Sequence, residues 1–343
     1  MERKLATIRQ IANLEPIPGA DQIELATIDG WKVVVAKNVN HKINDYVVYC
    51  EVDSFLPIKP EFEFLRKSSY KKMGEQEGFR LRTIKLKKQI SQGLILPLDD
   101  VIPFPDVIDY MVVGKDVTEL LEIVKYEPPI PAELAGKVKG NFPSFIPKTD
   151  EERIQNLTSE YETWRIDPDN QFYVTEKLDG SSATYYINGD TFGVCSRNLE
   201  LLETEGNTFW KVARKIDLEN KMRSLGISAA FQGELIGEGI QGNPYKIKGQ
   251  TVRFYNMYDI QLNKYHSLNT MKRIIVDEMG LEMVPILETN YKLPETIEEL
   301  LSYADGKSVL NSNFDREGLV IRSSDRKISF KAISNKFLLK HEK

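Results

Sequence analysis

Short apolar runs broken by turn residues fill the first sixty positions. Residues 5–11, 23–28, 31–36 and 46–50 are mostly apolar, and Pro16-Ile17-Pro18-Gly19, Asp29-Gly30 and Asn44-Asp45 separate them. Runs this short at this spacing predict an all-β module, a small barrel in form, with Asp29-Gly30 as a hairpin turn. The stretch 79–88 then interleaves Arg80, Arg82, Lys85, Lys87 and Lys88 with Leu81, Ile84 and Leu86. Strand alternation at its start puts Arg80 and Arg82 on one face and Leu81 on the other, presenting a basic strip to a phosphate backbone; a solvated strand face is the plainer reading. Residues 93–98 supply the last core strand of the module.

Further on stand Pro103, Pro105, Pro128, Pro129, Pro131, Pro143 and Pro147. Such a cluster does not fit inside helices or central strands. It marks a connector, residues 125–147, between a module over 1–124 and a second domain over 148–343. Thr149 with Glu152 three positions on reads as a capping box, and Ile154, Leu157 and Tyr161 follow at helical spacing, so a helix leads into the second domain. Then come β-rich runs at 171–174, 183–187 and 191–196. A helix at 207–216 follows, with Phe209, Val212, Ala213 and Ile216 as its apolar face, and another at 218–225 closed by Gly226. Strands and helices alternate to the end, so the expected fold class is α+β.

Composition narrows the class. The 343 residues, 41% hydrophobic and 10% aromatic, suffice for two domains with a core each. No apolar run reaches transmembrane length and the N-terminus lacks a signal-peptide stretch, so an intracellular, cytoplasmic location is expected, with no membrane partner. Cys50 and Cys195 are too far apart for a Cys-x-x-Cys pair and read as buried thiols; His41, His266 and His341 are too scattered for a metal centre. With 46 basic and 51 acidic residues the net charge is −5, which argues against indiscriminate coating of nucleic acid but not against a local basic groove.

The candidate chemistry lies in Thr175-Glu176-Lys177-Leu178-Asp179-Gly180-Ser181-Ser182, where Lys177 ends a β-rich run with a glycine turn behind it. Lys-x-Asp-Gly alone is a weak signal, and taken by itself an ordinary surface hairpin is the better explanation of it. Four later segments change the weighing. Glu234 sits at the centre of the strand 231–237, an aromatic strand 252–260 ends near Asp259, Glu317 leads the strand 316–322, and Lys331 lies within 328–333.

In this order these segments, with Ser196-Arg197-Asn198, resemble motifs I, Ia, III, IIIa, IV and V of the covalent nucleotidyltransferases, the superfamily of polynucleotide ligases and mRNA capping enzymes. The resemblance covers residues 148–340 and implies that Lys177 attacks the α-phosphate of ATP. That requires the neutral amine, hence a depressed pKa, which a bound metal and Lys331 would supply. It further implies that Asp179, Glu234 and Glu317 gather hydrated Mg²⁺ or Mn²⁺, that Glu176 reads the adenine amino group, that Tyr255 or failing it Phe254 stacks on the base, and that Lys331 contacts the α-phosphate. Arg197 would serve the ribose or the substrate backbone. Motif V commonly reads Lys-x-Lys; here position 333 is Ile, and Lys336 is the only nearby replacement.

The chain ends 12 residues after Lys331, whereas DNA ligases and capping enzymes carry an OB domain there. An OB-like module in front of a bare adenylyltransferase core resembles the fifth family of polynucleotide RNA ligases, which seals 3′-OH/5′-phosphate nicks, and the segment 145–156 looks like the one with which that family begins its catalytic domain. The resemblance implies a monomer acting on a nicked duplex with an RNA 3′-OH strand. Arg80, Arg82, Lys85 and Lys87 would contact its phosphates, and Lys148 and Gln155 would join the nucleotide contacts unless they belong to a plain surface helix. Two other readings stand beside this one: a GTP-using capping-type transferase, and a non-enzymatic OB-type RNA-binding protein suggested by Ala20-Asp21-Gln22-Ile23-Glu24 and Trp31.

Overall fold

The strand Ile23–Ile28 turns at Asp29-Gly30 into the strand Trp31–Ala36, with Ile28 opposite Trp31. Asp29 (φ 44°) and Gly30 (φ 79°) are both left-handed, the geometry a two-residue hairpin needs to follow strand twist. Trp31, Val33 and Val35 point into the core while Lys32 and Val34 are half-buried, as period-two alternation requires. The computed structural model describes residues 4–102, 107–127 and 136–341. The chain divides into two units, residues 1–130 with 338–343, and residues 131–337.

In the first unit Tyr46–Cys50 pairs with Ala6–Gln10 on one side and Leu94–Pro97 on the other. It is buried on both faces, Val48 and Cys50 in one core and Val47 and Tyr49 in a second. Asn13–Pro16 extends the hairpin sheet, and Ser54–Pro57, Tyr70–Met73, Gln76–Arg80 and Val124–Lys125 form another. The basic stretch does not continue as one strand. The strand ends at Arg80, with Leu81 still bonded through its backbone to Ser54 and Asp53, and Ile84–Leu86 folds back on Gln89–Ser91 as a separate two-stranded ribbon. Leu81 is buried as expected, but Ile84 and Leu86 are exposed.

Pro103 and Pro105 of the proline cluster, and Pro128, Pro129 and Pro131 of the expected connector, lie outside the described residues. Val138–Asn141 within it is an edge strand, paired with Leu199–Leu201.

Among its described residues the second unit holds two sheets. One has seven strands, in the order Val138–Asn141, Leu199–Leu201, Thr191–Cys195, Ser181–Asn188, Ala229–Gly237, Gln250–Asp259 and Lys264–Tyr265; the other has five, in the order Glu152–Arg153, Ser329–Ile333, Gly318–Ser323, Phe172–Lys177 and Ile286–Tyr291. All pairs are antiparallel except Glu152–Arg153 with Ser329–Ile333. Phe172–Lys177 belongs to the five-stranded sheet and Ser181–Asn188 to the seven-stranded one, so the residues between them are a crossover and not the surface hairpin the sequence also allowed.

Helix Thr208–Lys215 is capped by Asn207, whose side chain accepts from the Phe209 and Trp210 amides, and Leu218–Arg223 follows, with Gly226 left-handed beyond it. The expected helix from Thr149 is absent. Residues 152–153 pair with the edge of the five-stranded sheet, committing the backbone to a strand, and the helix begins at Thr158 (Thr158–Ile166). The capping box occurs instead at Thr296 and Glu299, opening Ile297–Ala304. Cys50 and Cys195 are buried free thiols. Among the described residues no helix is long and apolar enough to cross a membrane.

Candidate active site

The five-stranded sheet separates its residues by alternation. Phe172, Val174, Leu319, Ile321, Phe330 and Ala332 enter one core. The register sets Tyr173 opposite Arg322, Thr175 opposite Val320, Lys177 opposite Gly318, and Val320 opposite Lys331. Lys177, Thr175, Arg322 and Lys331 therefore share the other face.

Lys177 closes its strand with Nζ 2.5 Å from Glu317 Oε1, the two side chains 26% and 18% exposed. Glu317 immediately precedes Gly318, and a Cβ on Gly318 would lie 2.2 Å from the Ala332 carbonyl. That close approach is to the strand Ser329–Ile333; what sets Glu317 beside the lysine is the register that places Lys177 opposite Gly318. Gly180 has the same reason to be glycine, since its Cβ would lie 2.5 Å from the Leu235 carbonyl oxygen. This contact draws in the strand that carries Glu234, whose carboxylate accepts from the Gly180 amide. The Asp179 amide in turn donates to the Tyr245 hydroxyl at 2.6 Å.

Lys177, Asp179, Glu234 and Glu317 thus stand together, three carboxylates to one ammonium. Burial pushes the Asp179 carboxyl up to about 6, with the charge of Glu317 adding and Lys177 opposing. Burial pushes Glu234 up to about 8, against Lys177 and the Gly180 amide, with Glu317 and Asp179 adding. Burial is also the largest influence on Lys177 and pulls its pKa down, but Glu317, Glu234 and Asp179 outweigh it and hold the amine above its ordinary value. The depressed pKa expected of a nucleophile is therefore not a property of this cluster by itself. The excess of carboxylate over cation is what a hard divalent ion offsets. No three acidic, His or Cys groups among the described residues converge closely enough to hold a bare ion; carboxylates are the donors a hard ion such as Mg²⁺ takes, and Mg²⁺ usually keeps several of its waters.

The remaining expected residues fall into groups. Phe254 is fully buried against Phe231 and Tyr185. Tyr255 points the other way, half-buried, its ring under the Arg322 guanidinium at 5.6 Å and its hydroxyl 3.4 Å from Ser182 Oγ, which lies 2.8 Å from Thr149 Oγ1. Glu176, next to Lys177, faces the opposite side of the sheet: Oε2 accepts from the Val309 amide at 2.8 Å, while Oε1 is buried without a hydrogen bond. Burial raises its pKa. Lys148 donates to Asn198 Oδ1 at 3.3 Å and Arg197 pairs with Asp150 at 2.6 Å, which ties these two exposed segments together. Gln155 is not on a surface helix. It is 2% exposed in the turn Ile154–Asn156, with Oε1 unpartnered. Lys336 turns to Asp305 at 3.9 Å.

In the first unit Arg80 is engaged with Asp53 at 3.4 Å and lies 4.5 Å above the Tyr126 ring. Arg82, Lys85 and Lys87 are exposed. Sequence reasoning missed Tyr245. Its only signal is the glycine-rich run Gly237, Gly239, Gly242 and Gly249 around it, which marks an irregular loop close to the motif III strand.

An OB-fold domain family matches residues 5–98, and the RNA ligase family matches residues 170–339. An OB fold ahead of a ligase domain with this lysine and carboxylate site defines an RNA ligase. The chain belongs to the RNA ligase family, with the organisation that the resemblance to its fifth branch implied. Solved structures of Naegleria gruberi RNA ligase are similar to it over 99% of both chains. They include a glutamate variant with AMP and Mn (43% identity, TM-score 0.86), the protein with PPi (44%, 0.84) and a lysine variant with ATP and Mn (43%, 0.85). No curated protein sequence matches the chain.

Proposed function

We propose that the protein is an ATP-dependent ligase that seals 3′-OH/5′-phosphate nicks in a duplex with an RNA 3′-OH strand, acting as a monomer. The observation that carries the reading is the Lys177–Glu317 contact at 2.5 Å inside a cluster of three carboxylates. AMP, ATP, PPi and Mn in the Naegleria structures support ATP as substrate and Mg²⁺ or Mn²⁺ as the metal.

Lys177 loses its proton and attacks the α-phosphorus of ATP; an N–P bond forms and the bond to pyrophosphate breaks. A 5′-phosphate oxygen of the nick then displaces the lysine and takes the adenylyl group. The 3′-OH attacks that 5′-phosphorus and AMP leaves. Each step is an in-line displacement, in which positioning and charge neutralisation supply most of the rate. Asp179, Glu234 and Glu317 would hold the hydrated metal, which when bound withdraws charge from the triphosphate. Lys331, on the face it shares with Lys177, contacts the α-phosphate. Tyr255 stacks on the base, Gln155 offers its unpartnered oxygen to the adenine amino group, and Lys148 and Arg197 serve the sugar or the substrate backbone. Arg82, Lys85 and Lys87, with Arg80 at their root, contact duplex phosphates.

Incubation with a nicked duplex tests the reading. A 5′-adenylylated strand followed by a sealed product with ATP, and neither with GTP, is the expected result. Labelling by GTP alone would reassign the chain to capping chemistry.

A further inference from the structure

The ribbon Ile84–Leu86 and Gln89–Ser91 makes the same two-residue turn as Asp29-Gly30, with different residues. Lys87 (φ 47°) and Lys88 (φ 70°) occupy the two left-handed positions. This turn favours Asn-Gly or Asp-Gly, because a side chain with a Cβ and no local hydrogen bond is strained there. Most other non-glycine residues in that region are Asn or Asp, and Lys87 and Lys88 are the only consecutive pair of non-glycine residues among those described. Two like charges also stand side by side at the tip. The turn is thus unfavourable in both backbone and charge, a combination that points to a role other than stability.

Its surroundings give that role a chemistry. The root of the ribbon is fixed: Ser91 Oγ accepts from the Val34 amide at 3.0 Å, the Gln92 amide donates to the Lys32 carbonyl at 2.7 Å, and Ile90 is buried. The tip is open. Ile84 and Leu86 are 41% and 38% exposed. Arg82, Lys85, Lys87 and Lys88 are exposed too, and none of their side chains has an ion-pair or hydrogen-bond partner among the described residues, in a chain whose acids outnumber its bases by 51 to 46.

We propose that this ribbon is the duplex-binding element of the first unit. Lys87 and Lys88 at its tip, with Lys85 and Arg82 behind, engage phosphates of the nucleic acid, and Ile84 and Leu86 lie against its sugars. A polyanion with regularly spaced charges relieves the lysine repulsion that the fold leaves uncompensated, and a wide, shallow minor groove exposes sugars to two apolar side chains. The basic face is therefore a projecting edge, and Lys88 belongs to it.

The inference rests on the nick-sealing reading, and ATP labelling of the same preparations keeps the two separable. The test compares wild type with Lys87→Asn/Lys88→Gly, which installs the turn's preferred sequence and so should not impair folding. Its Tm is expected to rise by about 2–4 °C. Its affinity for a nicked duplex with an RNA 3′-OH strand is expected to fall, and the slope of log K against log salt to become shallower by about one per lysine. Ile84→Ser/Leu86→Ser should weaken binding with the slope retained. Unchanged affinity and slope in the lysine variant would overturn the proposal, as would a wild type that takes label from ATP yet does not bind the duplex. A wild type that takes no label but binds with the full lysine-dependent slope would sink the ligase reading and leave the ribbon standing.

Discussion

Lys177 donates to Glu317 across a register that sets the lysine opposite Gly318, and this pair holds the amine protonated in the absence of a competing cation. Because attack needs the neutral amine, lysyl-AMP formation should speed up with rising pH, and the midpoint of that rise should move to lower pH as Mg²⁺ or Mn²⁺ is raised. In Glu317→Gln the midpoint should fall even though the maximal rate drops on the order of 100-fold. Single-turnover rates across pH at several metal concentrations check both.

The Tyr245 hydroxyl accepts from the Asp179 amide at 2.6 Å and is buried. Tyr245→Phe leaves that amide without its partner, at a cost of about 1–3 kcal/mol. It should also raise the metal concentration needed for half-maximal adenylylation, because Asp179 loses its anchor. Thermal melting and a metal titration read the two effects.

Gly180→Ala should cost about 1–3 kcal/mol, since the new Cβ meets the backbone oxygen of Leu235 and not a flexible side chain. It should lower adenylylation more than the loss of stability explains, because the same contact places Glu234. Chemical denaturation beside the labelling rate separates the two.

Much of the site was legible before the structure, and what was legible had a local cause. The runs at 23–28, 31–36 and 46–50 became strands because alternation and turn chemistry act over a few residues. Lys177, Asp179, Glu234 and Glu317 come together because the ends of their strands and the turn at Gly180 are short-range features joined by sheet pairing. What failed depended on distant partners. Thr149-x-x-Glu152 has the local signature of a helix start, but an unpaired sheet edge beside it took residues 152–153 into a strand. Ile84 and Leu86 are apolar yet exposed in a separate ribbon, and nothing local shows that the strand before them ends at Arg80. Tyr245 has no pattern of its own, since its role is set by an amide 66 positions away.

Stability should fall as pH rises through the acid-to-neutral range if metal is withheld. Glu234 titrates at about 8 in the fold against an ordinary 4.5, and Asp179 at about 6 against 3.8. Between each pair of values the folded chain holds a proton that the unfolded chain has released. The free energy of unfolding then declines with pH over about 4 to 8. Lys177, raised by the same carboxylates, adds stability at these pH values that is lost only in the alkaline range, as pH climbs past its unfolded value towards its folded one. Glu234→Gln should flatten the decline, and denaturant midpoints at a series of pH values would measure it.

The ligase reading turns on Lys177 as the adenylylated nucleophile. The direct measurement is incubation with ATP labelled at the α-phosphate and Mg²⁺, followed by denaturing electrophoresis, for wild type and Lys177→Ala side by side. Covalent label is expected on the wild type alone, with residual sealing by Lys177→Ala when the nick carries a pre-adenylylated 5′ end. Label on Lys177→Ala equal to wild type, or none on wild type with any nucleotide, would contradict it.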